Sequence, residues 1–401
     1  MKVNKKIKIA MVSSILPATN YTAYLIEALQ KKFSSKVETL VYTGLKKENK
    51  KTDLKNVKLV WQERPVAYPF QILKQVLKDK PQIVHVQHEI NMFGYWPTAI
   101  SFPLLPFLLK IIKVKAIVTI HAVVTQEQIN VKFLETFWRS QKEYLVPLVR
   151  IFFWLLFKSI GWFSDQIIVH SQGLKDILVK DYGLKDKKVK VILEGIPDKI
   201  KLIKKGAVTE SIIDKIKNQS FMLYYGYLHK RKKIEILFKA FELIIKKYPK
   251  ILLIIAGGTL QEDYEQNLKK MVLKSNLDKK IIFLGFVEED DLNWLINQSL
   301  FILLPASYSI AASGPLAQII AHHKPFIASN LGVFKEEVIN NVEGLLVENS
   351  VAEWSSKIKE LIDNKELIKK ITFNLRKKHQ QRTWSIIARQ TANFYQQLLS
   401  K

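Results

Sequence analysis

The chain of 401 residues is longer than the ~250–300 residues that one hydrophobic core usually spans, so two domains are expected. With 48% hydrophobic and 25% charged residues it has the balance of an ordered globular protein, and the absence of cysteine excludes disulfides, thiolate metal sites and a cysteine nucleophile. Sixty-three Lys and Arg against 36 Asp and Glu leave a net +27, which suits polyanionic surroundings such as nucleic acid, anionic lipid or phosphorylated ligands, although a lysine-rich composition alone also accounts for it.

The basic start "MKVNKKIKIAMVSSILPATN" reads as a strand, Ile7 to Ser13, rather than a signal peptide, because its apolar part is short and an amphipathic helix, Tyr21 to Phe33, follows. "KLVWQ", "QIVHVQHE", "AIVTIHA" and "DQIIVHS" are further strand-like runs with helical patterns between most of them, the mark of a βαβ series and a parallel, doubly wound sheet. Two stretches are richer in apolar residues. "YWPTAISFPLLPFLLKIIK" is interrupted by three prolines, and "LVPLVRIFFWLLFKSIGWF" by Arg150 and Lys158. Neither is expected to span a bilayer, which needs ~20 predominantly apolar residues. A helix packed on a sheet is the leading expectation for each, and a place in a membrane interface with lysines around it is the second.

The rhythm restarts at "FMLYYGYL" and continues through "ILLIIAGG", "IIFLGF", "LFILLP" and "PFIAS", so a second α/β domain of the same kind is expected. Gly195-Ile196-Pro197 ends the last strand of the first half. The expected division between the two domains therefore falls between 197 and 198. In open α/β sheets ligands bind beyond the carboxyl ends of strands, and two such edges facing each other would make a cleft.

The stretch "SYSIAASGPLAQIIAHHKPFIAS" begins a helix near Ser313-Gly314-Pro315, gives it an apolar face from Leu316 to Ala321, and stops it at Lys324-Pro325. Free N–H groups at such a helix start attract anions. Ser313 can cap, Gly314 admits a close approach to the main chain, and Pro315 costs little in a first turn.

These residues carry a family resemblance. "YYGYLHKRKKIEILFKAFELIIKKYPKILLIIAGG", "IIFLGFVEEDDLNWLINQSLFILLPAS" and "FKEEVINNVEGLLVE" resemble the C-terminal domain of family 4 retaining glycosyltransferases (glycosyl transferases group 1, GT-B fold). "IVHVQHEINMFG", "VTIHA", "IIVHSQGLKDIL" and "KVKVILEGIP" resemble its N-terminal domain in the same order, and "TWSIIARQTANFYQQLL" its last helix, so the resemblance implies domains 1–197 and 198–380 and a final helix, 381–401, that crosses back to the first domain.

The resemblance implies a site residue by residue. Gly226 matches the glycine that turns the chain near the donor diphosphate, and Lys232 the phosphate-binding lysine. The arginine of that pattern is replaced by Tyr227 and the following glycine by Lys233, with His229, Lys230 and Arg231 available to compensate. Of the family's two glutamates, Gln318 stands at the second position and Ile310 at the first. Gln318 can still bond ribose hydroxyls, and members of the wider family use an "SG" turn here, which Ser313-Gly314 matches. Glu336 or Glu337 matches a glutamate near the donor, Glu336 being preferred. His121 matches a histidine beside the transferred sugar, and with Lys232 it is the expected catalytic pair. His88 and Glu89, which form no zinc motif, and Asn20 and Tyr21 in the first βα turn, fall on the acceptor side. His322 and His323 are expected to pack or face solvent. Nothing accounts for Glu194 where the family often has histidine.

The expectation is a cytoplasmic glycosyltransferase, peripheral on the membrane face if its acceptor is a lipid, that moves a sugar from a nucleotide-sugar to a glycan or lipid-linked acceptor with retention of configuration. No cofactor is implied: the nucleotide-sugar is a substrate, and lysine and helix N–H groups can stabilise the leaving diphosphate without a metal. A non-catalytic subunit of the same fold is the first alternative, prompted by the missing acids and Tyr227. A basic nucleic-acid-binding protein is the second, disfavoured because the basic residues are spread along the chain and no recognised motif is present.

Overall fold

The computed structural model describes residues 6–13, 21–44, 54–62, 67–89, 92–93, 98–138, 140–200, 210–211, 213, 216, 219–259, 262–308 and 314–400. They divide into two compact units, one running to Gly195 and resumed by Trp384–Lys401, the other from Ile196 to Thr383.

In the first unit, seven strands are β1 (Ile7–Val12), β2 (Val37–Gly44), β3 (Val57–Trp61), β4 (Ile83–His88), β5 (Lys115–Ile120), β6 (Gln166–Val169) and β7 (Val189–Val191). They form one all-parallel sheet in the order β3-β2-β1-β4-β5-β6-β7. Both faces of such a sheet are covered, which is why its central strands read as unbroken apolar runs such as "IVHV" and "AIVTI". One face packs on Tyr21–Lys32 and on the C-terminal helix Trp384–Leu399, through Leu25, Leu29, Ile387, Ala388 and Tyr395. The other packs on Ala67–Asp79, Leu104–Ile111 and Leu145–Phe163. Gly195 is required where the chain leaves this unit, because a Cβ there would meet Trp384 Cδ2 at 2.3 Å.

The second unit repeats the plan with β8 (Ser220–Tyr225), β9 (Ile251–Ala256), β10 (Ile281–Gly285), β11 (Ile302–Leu304), β12 (Phe326–Ser329) and β13 (Leu345–Val347) in the order β10-β9-β8-β11-β12-β13, again all parallel. Each unit thus shows the doubly wound 3-2-1-4-5-6 order, and its strand order reverses beside its first strand, between β1 and β4 and between β8 and β11. Loops leaving adjacent strands diverge there, and the crevice they leave is where such sheets bind ligands.

One sequence expectation needs correction. Leu145–Phe163 is an uninterrupted helix of 19 residues, long and apolar enough by length and composition to cross a membrane, because Arg150 and Lys158 do not break it. The other stretch does break as its prolines require, into Thr98–Ser101 and Leu104–Ile111.

Candidate functional site

In the second unit the chain leaves β8 at Gly226, whose φ of +121° suits glycine and little else. Its N–H bonds Ala256 O at 3.0 Å, and Leu228 N–H bonds Gly258 O at 2.9 Å, so the turn is stitched to the end of β9. The fit is tight: a Cβ on Gly257 would lie 1.9 Å from Gly226 O. On the β11 side the helix Gly314–Ala321 starts against the same turn, with Pro315 Cγ 4.0 Å from a Cβ built on Gly226. Tyr225 Oη–H donates to Pro315 O at 2.6 Å and fixes that helix end to β8.

The motif "HKRKK" follows as a single 3-10 turn, Lys230–Lys232, capped by His229 Nδ1, which accepts from Arg231 N–H. Arg231 O accepts from both Ser307 N–H at 2.7 Å and Ser307 Oγ–H at 3.1 Å, so the basic turn is tied to the loop after β11. That loop is held in its turn by Ser329 Oγ, which accepts from Ala306 N–H, and by Asn349, which donates to Ala306 O. The sequence pointed to neither Ser307 nor Asn349. Burial, with Arg231 beside it, pushes the Lys232 ammonium down to about 8. A cation held in a desolvated, positively charged turn is poorly compensated, and an anion restores the balance.

Other expected donor residues have plainer surroundings. Tyr227 is exposed, and its carbonyl accepts from Tyr224 Oη–H. Gln318 is half-buried on the helix Gly314–Ala321. Glu336 is exposed, whereas Glu337 is buried in an ion pair with Arg382 at 2.6 Å, on the segment that leads to the C-terminal helix. Ser313 lies outside the described residues, as does Asn20. His322 and His323 pack internally, bonded to Asn293 at 3.0 Å and His379 at 2.9 Å.

In the first unit His121 lies just beyond β5, where its ring meets His170 at Nδ1 (3.1 Å) and the Gln87 amide at Nε2 (2.8 Å). His170 Nδ1–H donates to Ile192 O, which can only accept, and His170 Nε2 faces His121 Nδ1. Gln87 meets His121 Nε2 with its oxygen and turns its amide nitrogen toward Met11 Sδ (3.1 Å) and His85 Nε2 (3.3 Å). His85 completes the chain, bonded at Nε2 to Thr119 Oγ1 (2.6 Å) and at Nδ1 to Tyr395 Oη (2.7 Å) on the C-terminal helix. Burial and the neighbouring His170 hold His121 well below the ordinary histidine range, and burial takes His85 to about 3. His121 and His85 are thus neutral, and these bonds orient all three rings.

Tyr21 packs on His121 and His170, with ring centroids 5.1 and 4.7 Å away. Burial, then the charge of Glu194, raises its phenol. His88 lies elsewhere: alternate residues of a strand face opposite sides, so β4 aims His85 and Gln87 at this cluster and His88 away from it. His88 is buried against Phe102, centroids 4.2 Å apart, with both ring nitrogens lacking a partner among the described residues, and burial lowers it to about 3. Glu89 is exposed at the start of the following loop. Gln87, His85 and His170 were missed by the sequence reading, although each stands in a quoted strand motif. Among the described residues no three His, Asp or Glu side chains group as metal ligands.

Residues 18–199 match the family described as Glycosyltransferase Family 4, and residues 209–378 match Glycosyl transferases group 1. The chain belongs to the family 4 glycosyltransferases. An uncharacterized glycosyltransferase of Methanocaldococcus jannaschii is 26% identical over 248 residues, 58% of this chain and 60% of that protein. A second from the same organism is 29% identical over 54% of this chain, and the alignment takes in 53% of its own length. The chain thus spans little more than half the length of these curated relatives. Among solved structures, Anabaena HepE in complex with UDP and glucose superimposes with a TM-score of 0.72 at 16% identity, covering 98% of this chain and 100% of HepE. The likeness shows that the fold is GT-B.

Proposed function

We propose that the protein transfers a sugar from a nucleotide-sugar donor to a glycan or lipid-linked acceptor, with retention of configuration. The observation that carries the reading is the convergence, at the switch point of the second sheet, of the Gly226 turn, the start of the helix at Gly314-Pro315 and the half-buried Lys232, all tied together through Tyr225 and Arg231 O. Lys232 and the helix N–H groups hold the diphosphate and stabilise the charge that develops on it as the sugar leaves. Gly226 and Gly314 keep side chains out of its path, and Gln318 bonds the nucleoside side. In the first unit the neutral His121, which the family resemblance puts beside the transferred sugar, is held in place by His170 and Gln87, with Tyr21 and Glu89 on the acceptor side. Family membership and the UDP complex of HepE support a nucleotide-sugar donor.

The test is calorimetry and turnover with a panel of nucleoside diphosphates and nucleotide-sugars. One charge-assisted contact is worth ~1.5–3 kcal/mol, so Lys232→Ala is expected to weaken nucleoside diphosphate binding about 10- to 100-fold, and Gln318→Ala less. Gly314→Val should weaken binding while leaving the melting temperature unchanged, since no described atom lies within 4 Å of a Cβ built there. Unchanged affinity in both Lys232→Ala and Gly314→Val would move the phosphate site elsewhere. Tight donor binding with no turnover on any acceptor would favour a non-catalytic subunit, the reading that Gln318 in the glutamate position invites.

A further inference from the structure

The helix Leu145–Phe163 is apolar on two opposite sides. One side carries Phe153, Leu156, Phe157 and Ile160, all buried in the core of the first unit. On the other, Tyr144, Leu148, Ile151, Leu155, Lys158 and Trp162 follow one another at spacings of four and three, which places them on one helix face. Leu148 is 59% exposed, Ile151 56%, Leu155 51% and Trp162 52%. Only 22% of the helix's most apolar window is buried within the protein. Leu104–Ile111 widens the patch, for Phe107 stacks edge-on against Phe163 at 5.0 Å, and Phe107 and Ile111 are exposed one turn apart. A bare apolar surface of this extent is uncommon on a soluble protein and marks an interaction site.

Its charges select the partner. Residues 98–113 and 145–163 contain four cations, Lys110, Lys113, Arg150 and Lys158, and no acid. Arg150 turns off the stripe to Ile129 O, but a protein helix packed there would leave Lys110, Lys113 and Lys158 without partners of opposite sign along it, whereas an anionic surface would pair them. Tyr144 and Trp162 add to the two ends of the stripe amphipathic rings of the kind a water–lipid boundary favours. Lysines accompany them: Lys142 lies 6.0 Å from the Tyr144 ring, Lys158 5.9 Å from Trp154, and Lys110 6.0 Å from Phe163. Lys158 and Lys110 also donate to the carbonyls of Gly183 and Trp162, which pins their apolar stems along the patch.

We propose that this face of the first unit docks on an anionic lipid bilayer, with the helix lying in the plane of the interface. Spanning is disfavoured by the opposite side of the same helix: Phe157 packs on Tyr182 at 4.7 Å, and Phe153, Leu156 and Ile160 fill the core, so withdrawal of the helix would empty it. The docking does not depend on the donor site, which lies in the other unit.

The experiment is vesicle flotation of the full chain with phosphatidylcholine alone and with three parts phosphatidylcholine to one part phosphatidylglycerol, at low and high salt. The wild type is expected to float with the anionic vesicles at low salt, and to release as salt shortens the Debye length from ~10 Å toward ~3 Å. Replacing Leu148, Ile151 and Leu155 together by Gln should weaken vesicle binding about tenfold or more while leaving the melting temperature and nucleoside diphosphate affinity as they were. Lys113→Glu with Lys142→Glu should weaken binding to the anionic vesicles only. Failure of the wild type to float with either vesicle would overturn the proposal, as would undiminished binding by the triple variant. A wild-type dimer in solution that the triple variant abolishes, with no flotation, would assign the face to a second copy of the chain instead.

Discussion

Lys232 joins position to charge, and its protonation gives a pH signature. Its ammonium, lowered to about 8, is largely protonated at neutral pH and loses its charge as the pH rises through 8. Nucleoside diphosphate affinity is therefore expected to fall between pH 7 and 9 by up to about tenfold in the wild type and to stay flat in Lys232→Met, read by calorimetry. His88 makes a second case. Its folded value near 3 lies below the ~6.5 of an unfolded histidine, so its contribution to stability is complete above ~6.5 and is lost as the pH falls below it, at up to ~1.4 kcal/mol per pH unit. His88→Phe removes two unpartnered ring nitrogens from an aromatic pocket, so the variant should melt no lower at pH 7 and resist acid better than the wild type. If its turnover falls while its stability holds, His88 serves the acceptor; if both hold, the ring is packing. The sequence placed His121 at a strand end but left out Gln87 and His170. Their significance lies in pairings across neighbouring parallel strands, and those pairings depend on sheet order and register, which no local pattern encodes.

At the level of elements, the donor side depends on glycines that serve different ends. Gly226 is there for its backbone angle, Gly257 for want of room and Gly314 for open access. Gly257→Ala drives a methyl into Gly226 O, so the turn must move; a loss of ~1–3 kcal/mol by thermal or denaturant melting is expected, with weaker nucleoside diphosphate binding than stability alone would explain. Much at this scale was readable beforehand. The run "KIKIAMVSS" became β1 at Ile7–Val12, and the helix expected over Tyr21–Phe33 closes one residue earlier, at Lys32. The long apolar stretch is the helix packed on the sheet that was expected, and its two cations interrupt the apolar run without breaking the helix. A helix carries Arg and Lys without interruption when their heads reach solvent or a backbone carbonyl, as Lys158 does at Gly183.

Across the molecule, two successive α/β rhythms were legible from the spacing of apolar runs, because the central strands of a parallel sheet are buried on both faces, whereas the GT-B order came from the family resemblance. What spacing could not convey is how far apart in sequence the partners of one core lie. His85 bonds Tyr395 across 310 positions, and Trp384, Ile387 and Leu398 complete the cluster begun by Ile9 and Leu25. Tyr395→Phe should cost ~1–3 kcal/mol by melting, since the buried His85 Nδ1 loses its hydrogen-bond partner. That closure has a consequence for synthesis. At ~5–20 residues per second, the roughly 190 residues between Gly195 and Trp384 take ~10–40 s to emerge, and for that interval one face of the first sheet waits for the helix that covers it. The half of the protein made first is thus the last to be finished, and the ribosome's pace, rather than the order of the code, decides how long its hydrophobic face is exposed to chaperones or to other nascent chains.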